Sequence, residues 1–140
     1  MHFEGSAAAA LSGRLGSAFG VLRSADLSVL NLETAITDRG TPQPKDFTFR
    51  APPRAVTVLR QAGVDAVSVA NNHGMDYGRV GLADTLAAAR AAGLPLLGAG
   101  PDDQAAWTPL RREVNGVRIS VLAATDVLDD FAHTSWVAGP

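Results

Sequence analysis

The chain contains no cysteine. Disulfides and thiolate metal centres are therefore excluded, and any metal must be held by nitrogen and oxygen ligands, which favours Mn, Fe, Zn, Mg or Ca over iron–sulfur clusters. It also lacks an excess of positive charge. Twelve Lys and Arg stand against 14 Asp and Glu, a net charge of −2, so there is no electrostatic reason to expect nucleic acid as a partner. No window approaches the roughly 18 consecutive apolar residues of a membrane span. The first residues lack the basic start and apolar core of a signal peptide, and the run Ala7 to Leu11 is too short for that role. This leaves open a parent protein that carries a leader. With 46% hydrophobic and 19% charged residues, the composition is that of a globular protein. The 140 residues suit one domain or one incomplete domain. No internal repeat or interdomain linker is visible.

What is present centres on Ala70-Asn71-Asn72-His73-Gly74-Met75-Asp76-Tyr77-Gly78. This stretch follows the apolar run Val64 to Val69 and precedes a helical pattern that starts near Arg79. The polar cluster thus falls at the carboxyl end of a buried strand, the edge at which open α/β sheets bind ligands. Asn, His and Asp can each ligate a metal, and histidine as a residue type moves protons near neutral pH. The competing explanation is a hydrogen-bonded strand-to-helix loop with Asp76 or Tyr77 near a helix cap. A second stretch weighs against it. Asp26 to Leu32 is apolar without alternation, which predicts a strand buried on both faces. It too ends in an amide and an acid, Asn31-Leu32-Glu33. Two strands ending in this way suggest one shared site.

Taken in order, Ser6 to Val21 is helix-prone but interrupted by Gly13, Gly16 and Gly20. Thr37 to Pro53 is a long polar connection with four prolines. Loops beyond about 12–15 residues in a compact domain are usually functional or disordered. Within it, Lys45 and Arg50 are candidates to meet an anionic substrate, ordinary solvated charge being the alternative. Pro53 to Ala62 reads as a helix with Val56 and Leu59 inward and Gly63 at its end. Arg79 to Ala92 is the clearest helix, with Val80, Ala83, Leu86 and Ala87 on one face. Leu94 to Leu97 is a short strand. Asp102 to Ala106 suggests one helical turn with Trp107 packed near it. Asn115-Gly116 between Leu110–Val114 and Val117–Ala123 signals a hairpin. The tail holds Asp126, Asp129, Asp130 and His133, which read as a solvated end or, less simply, as metal ligands. The sum is an α/β fold with a mostly parallel core and an antiparallel addition.

The stretches Asn31 to Thr37 (NLETAIT), Lys45 to Pro52 (KDFTFRAP) and Gly63 to Thr85 (GVDAVSVANNHGMDYGRVGLADT) carry a resemblance. The sequence resembles the bacterial capsule-synthesis, CapA-like (poly-γ-glutamate synthesis) proteins, which are similar to calcineurin-like metallophosphoesterases. The resemblance implies a four-layer α/β/β/α sandwich with two divalent metal ions (Mn, Fe, Zn or Mg) at the strand ends. By analogy, Glu33 is a metal-bridging or first-ligand carboxylate and Asn72 a ligand amide. His73 is the neighbouring acid that protonates the leaving group or steadies the substrate. Asn31, Asn71 and Asp76 are supporting polar residues. The implied partners are an anionic polymer or a phosphoester, together with membrane proteins of polymer synthesis. The implied location of an intact parent is membrane-associated or extracellular.

The family opens with a strand ending in Gly-Asp, and its later segments are rich in histidine. Neither feature is found in these 140 residues. Residues 1–140 are therefore expected to form a single incomplete CapA-like domain, with His2 near the position of a missing ligand. Phosphoester-type chemistry is expected of an intact parent, and weak metal binding with little activity of the chain by itself. The alternative function is a non-catalytic protein that binds an anionic polymer or helps assemble a polymer-synthesis complex.

Overall fold

A computed structural model of the protein describes residues 19–127. His2, most of the helix-prone run Ser6 to Val21, and Asp129, Asp130 and His133 lie outside the described residues. The elements in chain order are α1 (Gly20–Ser24), β1 (Val29–Asn31), β2 (Ala35–Ile36), β3 (Arg50–Ala51), α2 (Arg54–Gln61), β4 (Ala66–Ser68), α3 (Gly78–Ala91), β5 (Leu96–Leu97), α4 (Asp103–Ala106), β6 (Leu110–Val114) and β7 (Val117–Val121).

The central sheet is parallel, in the order β1-β4-β5. Val29 stands opposite Ala66 and Asn31 opposite Ser68, while Ser68 faces Leu97 on its other side. Parallel neighbours need crossovers. Here β1 reaches β4 through β2, β3 and α2, and β4 reaches β5 through α3. The residues around β4 are fully buried at Val64, Ala66, Val67 and Val69, as their unbroken apolar run predicts. Val64, Val67 and Val69 form one core with Leu32, Ile36, Val56, Leu82 and Leu94, and Ala66 forms a second with Leu97 and Leu110. The fold is thus α/β with mostly parallel strands, joined by an antiparallel hairpin. Among the described residues no helix is long and apolar enough to cross a membrane.

Three details differ from what the sequence suggests. First, β1 is not buried on both faces: Val29 is 36% exposed and Asn31 is exposed as well. Among the described residues, β1 pairs with β4 alone, and the inward contacts come from Leu27, Leu30 and Leu32. Second, the buried face of α3 consists of Gly81, Leu82, Thr85 and Ala89; of the face the sequence suggests, Leu86 is half-buried against the core, whereas Val80, Ala83 and Ala87 are exposed. A hydrophobicity count passes over Gly81 and Thr85, yet both are buried. A Cβ at Gly81 would meet the Tyr77 Cβ at 2.6 Å, whereas Thr37 and Ala35 would lie in ordinary contact at 3.5 and 3.7 Å. The Thr85 hydroxyl donates to the Gly81 carbonyl at 2.7 Å and accepts the Ile36 N–H at 2.9 Å. Third, Trp107, at the C-terminal end of α4, is 57% exposed.

The long connection after β2 is more ordered than its composition suggests. Its end returns as β3, which pairs in parallel with β2, Ala35 opposite Arg50 and Ile36 opposite Ala51. The hairpin follows the Asn-Gly signal directly. Asn115 (φ 51°) and Gly116 (φ 79°) both have positive φ, the requirement of the tight turn whose twist suits paired strands.

Beyond β2, Thr37 donates to Asp84 of α3 at 2.5 Å, and Arg39 Nε donates to the same carboxylate at 3.0 Å. The hydrogen bond from Arg39 and then that from Thr37 hold the Asp84 carboxyl below its ordinary value, against the opposing effect of burial. A carboxyl lowered in the folded state stabilises it above the ordinary carboxylate value, and this contribution is lost as pH falls through the lower, folded-state value. Asp84→Asn is expected to reduce the acid-side dependence of stability on pH, so that variant and parent converge at the acid end of a denaturant-midpoint series.

Thr85 offers a sharper test of the β2–α3 packing. Thr85→Val keeps the volume but leaves the buried Ile36 N–H without its acceptor, a loss of about 1–3 kcal/mol. Thr85→Ser, which keeps the oxygen, is expected to lose less when both are compared by urea unfolding.

Candidate functional site

The site begins where β1 and β4 end side by side. The Leu32 N–H donates to the Ser68 carbonyl at 2.8 Å, which extends the pairing one residue past β1. The chain then leaves β4 through Val69 and turns. In that turn Asn71 is buried and all of its described bonds are directed inward. Its Nδ2 donates to Asn31 Oδ1 at 2.8 Å and to the Leu32 carbonyl at 3.1 Å, while its Oδ1 accepts the His73 N–H at 2.9 Å. A buried amide satisfied in this way fixes the end of β1, the turn and the histidine relative to one another.

The turn closes on Asp76, which is fully buried. His73 Nδ1 lies 2.8 Å from Asp76 Oδ2, and the Phe49 N–H donates to the same oxygen. Lys45 Nζ lies 2.9 Å from Oδ1 and also donates to the Asn72 carbonyl at 2.6 Å. Phe49 covers the imidazole, with ring centroids 4.3 Å apart and a tilt of 33°. The loop between β2 and β3 therefore folds over the turn. Its approach is close at Gly40 (φ +81°), where a Cβ would meet the Tyr77 carbonyl oxygen at 2.7 Å. The Gln43 N–H donates to the Asp76 carbonyl at 2.9 Å.

The structure brings Asn31, Asn71, His73, Asp76 and Lys45 into one hydrogen-bonded network. Glu33 stands exposed two residues past the end of β1, and Asn72 is half-buried in the turn. Arg50 is exposed on β3, with its guanidinium 4.9 Å from the centre of the Tyr77 ring. Lys45 is directed into the protein, so its charge serves Asp76. The sequence reading missed Phe49. The alternation Phe47-Thr48-Phe49 held a signal, since Phe47 is 62% exposed while Phe49 faces His73.

The donor types suit a hard or borderline divalent ion: a carboxylate at Glu33, an amide at Asn72 and an imidazole at His73. A carboxylate on one ring nitrogen is how an imidazole that works through its other nitrogen is oriented. With Nδ1 taken by Asp76, the chemistry left to His73 lies at Nε2. Among the described residues no three His, Asp or Glu side chains group closely enough to hold a metal by themselves.

Asp76 is the group on which this arrangement converges. Asp76→Ala leaves the Lys45 charge, the Phe49 N–H and the His73 ring without their shared partner, and breaking a pair of this kind costs about 3–5 kcal/mol. Thermal or urea unfolding of the variant is expected to show that loss, and a change below about 0.5 kcal/mol, the range of an ordinary surface substitution, would contradict the network described here.

Comparison with known proteins agrees with the motifs at these strand ends. Residues 7–139 match the family model for the bacterial capsule synthesis protein PGA_cap. The chain is 35% identical over 82 residues to the capsule biosynthesis protein CapA of Bacillus anthracis, a match covering 59% of this chain and 20% of that protein. It is 33% identical over 126 residues to a probable polyglutamine synthesis accessory protein of Mycobacterium tuberculosis, covering 88% of this chain and 33% of that one. A third relative, the PGA biosynthesis protein CapA of Bacillus subtilis, is 32% identical over 110 residues, 76% of this chain and 29% of its own length. The matches thus span a third or less of the length of these relatives. With nearly its whole length matched and its motifs gathered at one sheet edge, the chain belongs to the bacterial capsule synthesis protein family PGA_cap.

Proposed function

We propose that this chain supplies one side of a metal-dependent, phosphoester-type site in a protein of capsule or poly-γ-glutamate biosynthesis. The observation that carries the reading is the buried His73–Asp76 pair held at the joined ends of β1 and β4. On this reading the parallel sheet is part of a metallophosphoesterase-like four-layer sandwich, in which residues 1–140 form an incomplete domain. Glu33 and Asn72 would hold divalent metal ions. Two such ions supply, when bound, Lewis acidity at the phosphoryl group and charge stabilisation in the transition state. Asp76 keeps the His73 proton on Nδ1, and Nε2 is the atom that exchanges a proton with the leaving group or steadies a substrate oxygen. Asn71 holds the backbone of His73 at the strand end, and Phe49 shields one face of the ring from water.

A second reading rests on the exposed Arg50, whose guanidinium lies over the Tyr77 ring, and on the exposed Arg79 at the start of α3. A non-catalytic member of a membrane polymer-synthesis complex could hold an anionic polymer there. The Mycobacterium tuberculosis relative is named an accessory protein, a description that suits either role.

Both readings are tested on a full-length parent protein. Hydrolysis of a generic phosphoester is expected to depend on manganese, to stop on chelation, and to fall by about 10²–10⁴-fold in His73→Ala, the usual contribution of a general acid. Hydrolysis indifferent to both treatments would overturn the first reading. Polymer binding that weakens with salt yet survives Glu33→Ala and Asn72→Ala would favour the second. The 140-residue chain alone is expected to bind manganese weakly in calorimetry.

A further inference from the structure

The chain has eleven arginines but a single lysine, Lys45. It is also the cation drawn furthest into the site. Its side chain is 13% exposed and faces an Asp76 side chain that is 0% exposed. We infer that Lys45 is a positioning residue for the Asn72–His73 turn, in which one ammonium holds the Asp76 carboxylate and the Asn72 carbonyl together, so that the loop between β2 and β3 sets the orientation of His73.

Geometry carries the argument. Asp76 has two oxygens with different duties. Oδ2 receives His73 Nδ1 and the Phe49 N–H, whereas Oδ1 faces Lys45 at 2.9 Å. Without the ammonium, the carboxylate would be free to rotate its load between donors, and the ring would lose its fixed partner. The second contact, to the Asn72 carbonyl at 2.6 Å, lies one residue before His73 in the chain. Lys45 therefore grips the turn on both sides of the histidine. An ammonium is a compact charge whose three donors can diverge toward a carboxylate and a carbonyl. The two loop groups on Asp76, Lys45 and the Phe49 N–H, are four residues apart in sequence. Docking of the loop thus delivers both, together with the Phe49 ring that covers the imidazole.

This inference rests on His73 being the working group of the proposed site, but its test uses metal-free, substrate-free protein. It therefore succeeds or fails independently of any hydrolysis. In the chain labelled with ¹⁵N-histidine, the His73 ring is expected to show one tautomer, protonated at Nδ1. Lys45→Met is expected to lose that single tautomer and Lys45→Arg to restore it. A Met variant with the parent spectrum, or an Arg variant as altered as the Met variant, would overturn the role. A second measurement needs no variant. Because Lys45 is the sole lysine, peptide mapping after a pulse of amine-acylating reagent reads its ε-amine alone. Acylation is expected to be roughly tenfold or more slower in the native chain than in urea, as for a group exposed only by local opening. Equal rates in the two conditions would show that the ammonium is not held and would overturn the inference.

Discussion

A carboxylate cannot be buried without partners, and that constraint organises the functional end of this protein. Asp76 is fully buried. Its partners come from segments far apart in the chain: a lysine and a main-chain amide from the loop that precedes β3, and an imidazole from its own turn. Each partner brings a piece of structure with it. Lys45 brings the Asn72 carbonyl, Phe49 brings an aromatic cover for His73, and His73 brings Asn71, which ties the turn to the end of β1. The polar interior at the strand ends is thus a chain of linked contacts, in which Asp76 Oδ1 has the Lys45 ion pair but no hydrogen bond, and such chains hold their members in one geometry.

This explains why the loop between β2 and β3, with Pro42 and Pro44 in it, is ordered. Its residues bury little apolar surface of their own, since Phe47 lies outside and Pro42 and Pro44 are exposed. The loop is held at its far end by the β2–β3 pairing and at its middle by Asp76. Gly40 lets the backbone pass against Tyr77. On the other side, Thr85 and Asp84 of α3 bind the backbone of β2 and the residues just after it. The small parallel ribbon is therefore a bracket between the helix that follows the site and the loop that covers it.

Much of this was legible in the sequence. The unbroken apolar run before Asn71 gave β4, Asn115-Gly116 gave the hairpin turn, and the glycines at 63 and 93 marked the helix ends. The polar residues at the ends of two strands indicated a shared edge, and the family relationship follows from those same motifs. What was not legible depends on tertiary contacts. Two-residue strands such as β2 and β3 carry no periodicity to detect. The inward face of α3 includes a buried glycine close to Tyr77 and a threonine that accepts a strand amide, and a hydrophobicity count assigns neither to a core. Lys45 read as a group for an anionic substrate or as solvated charge because Asp76, which it meets in the fold, lies 31 positions away in the chain. The exposure of β1 reflects its single described neighbour, a property of the sheet and not of the strand's own residues.

The sequence separations within the network also bear on the order of folding. The bond between Asn71 and Asn31 spans 40 residues, that between Phe49 and Asp76 spans 27, and that between Ile36 and Thr85 spans 49. Contacts of this reach pay a loop-closure cost before they return anything. The hairpin and α3, built from near neighbours, can assemble early. The covering loop can dock only after α3 and the turn offer it a surface. Substitutions in the network then act mainly on the unfolding limb of the kinetics and leave the folding limb nearly unchanged. The candidate site is thereby the last region to close and the first to open, a natural point for a bound molecule or a second protein segment to act on the ensemble.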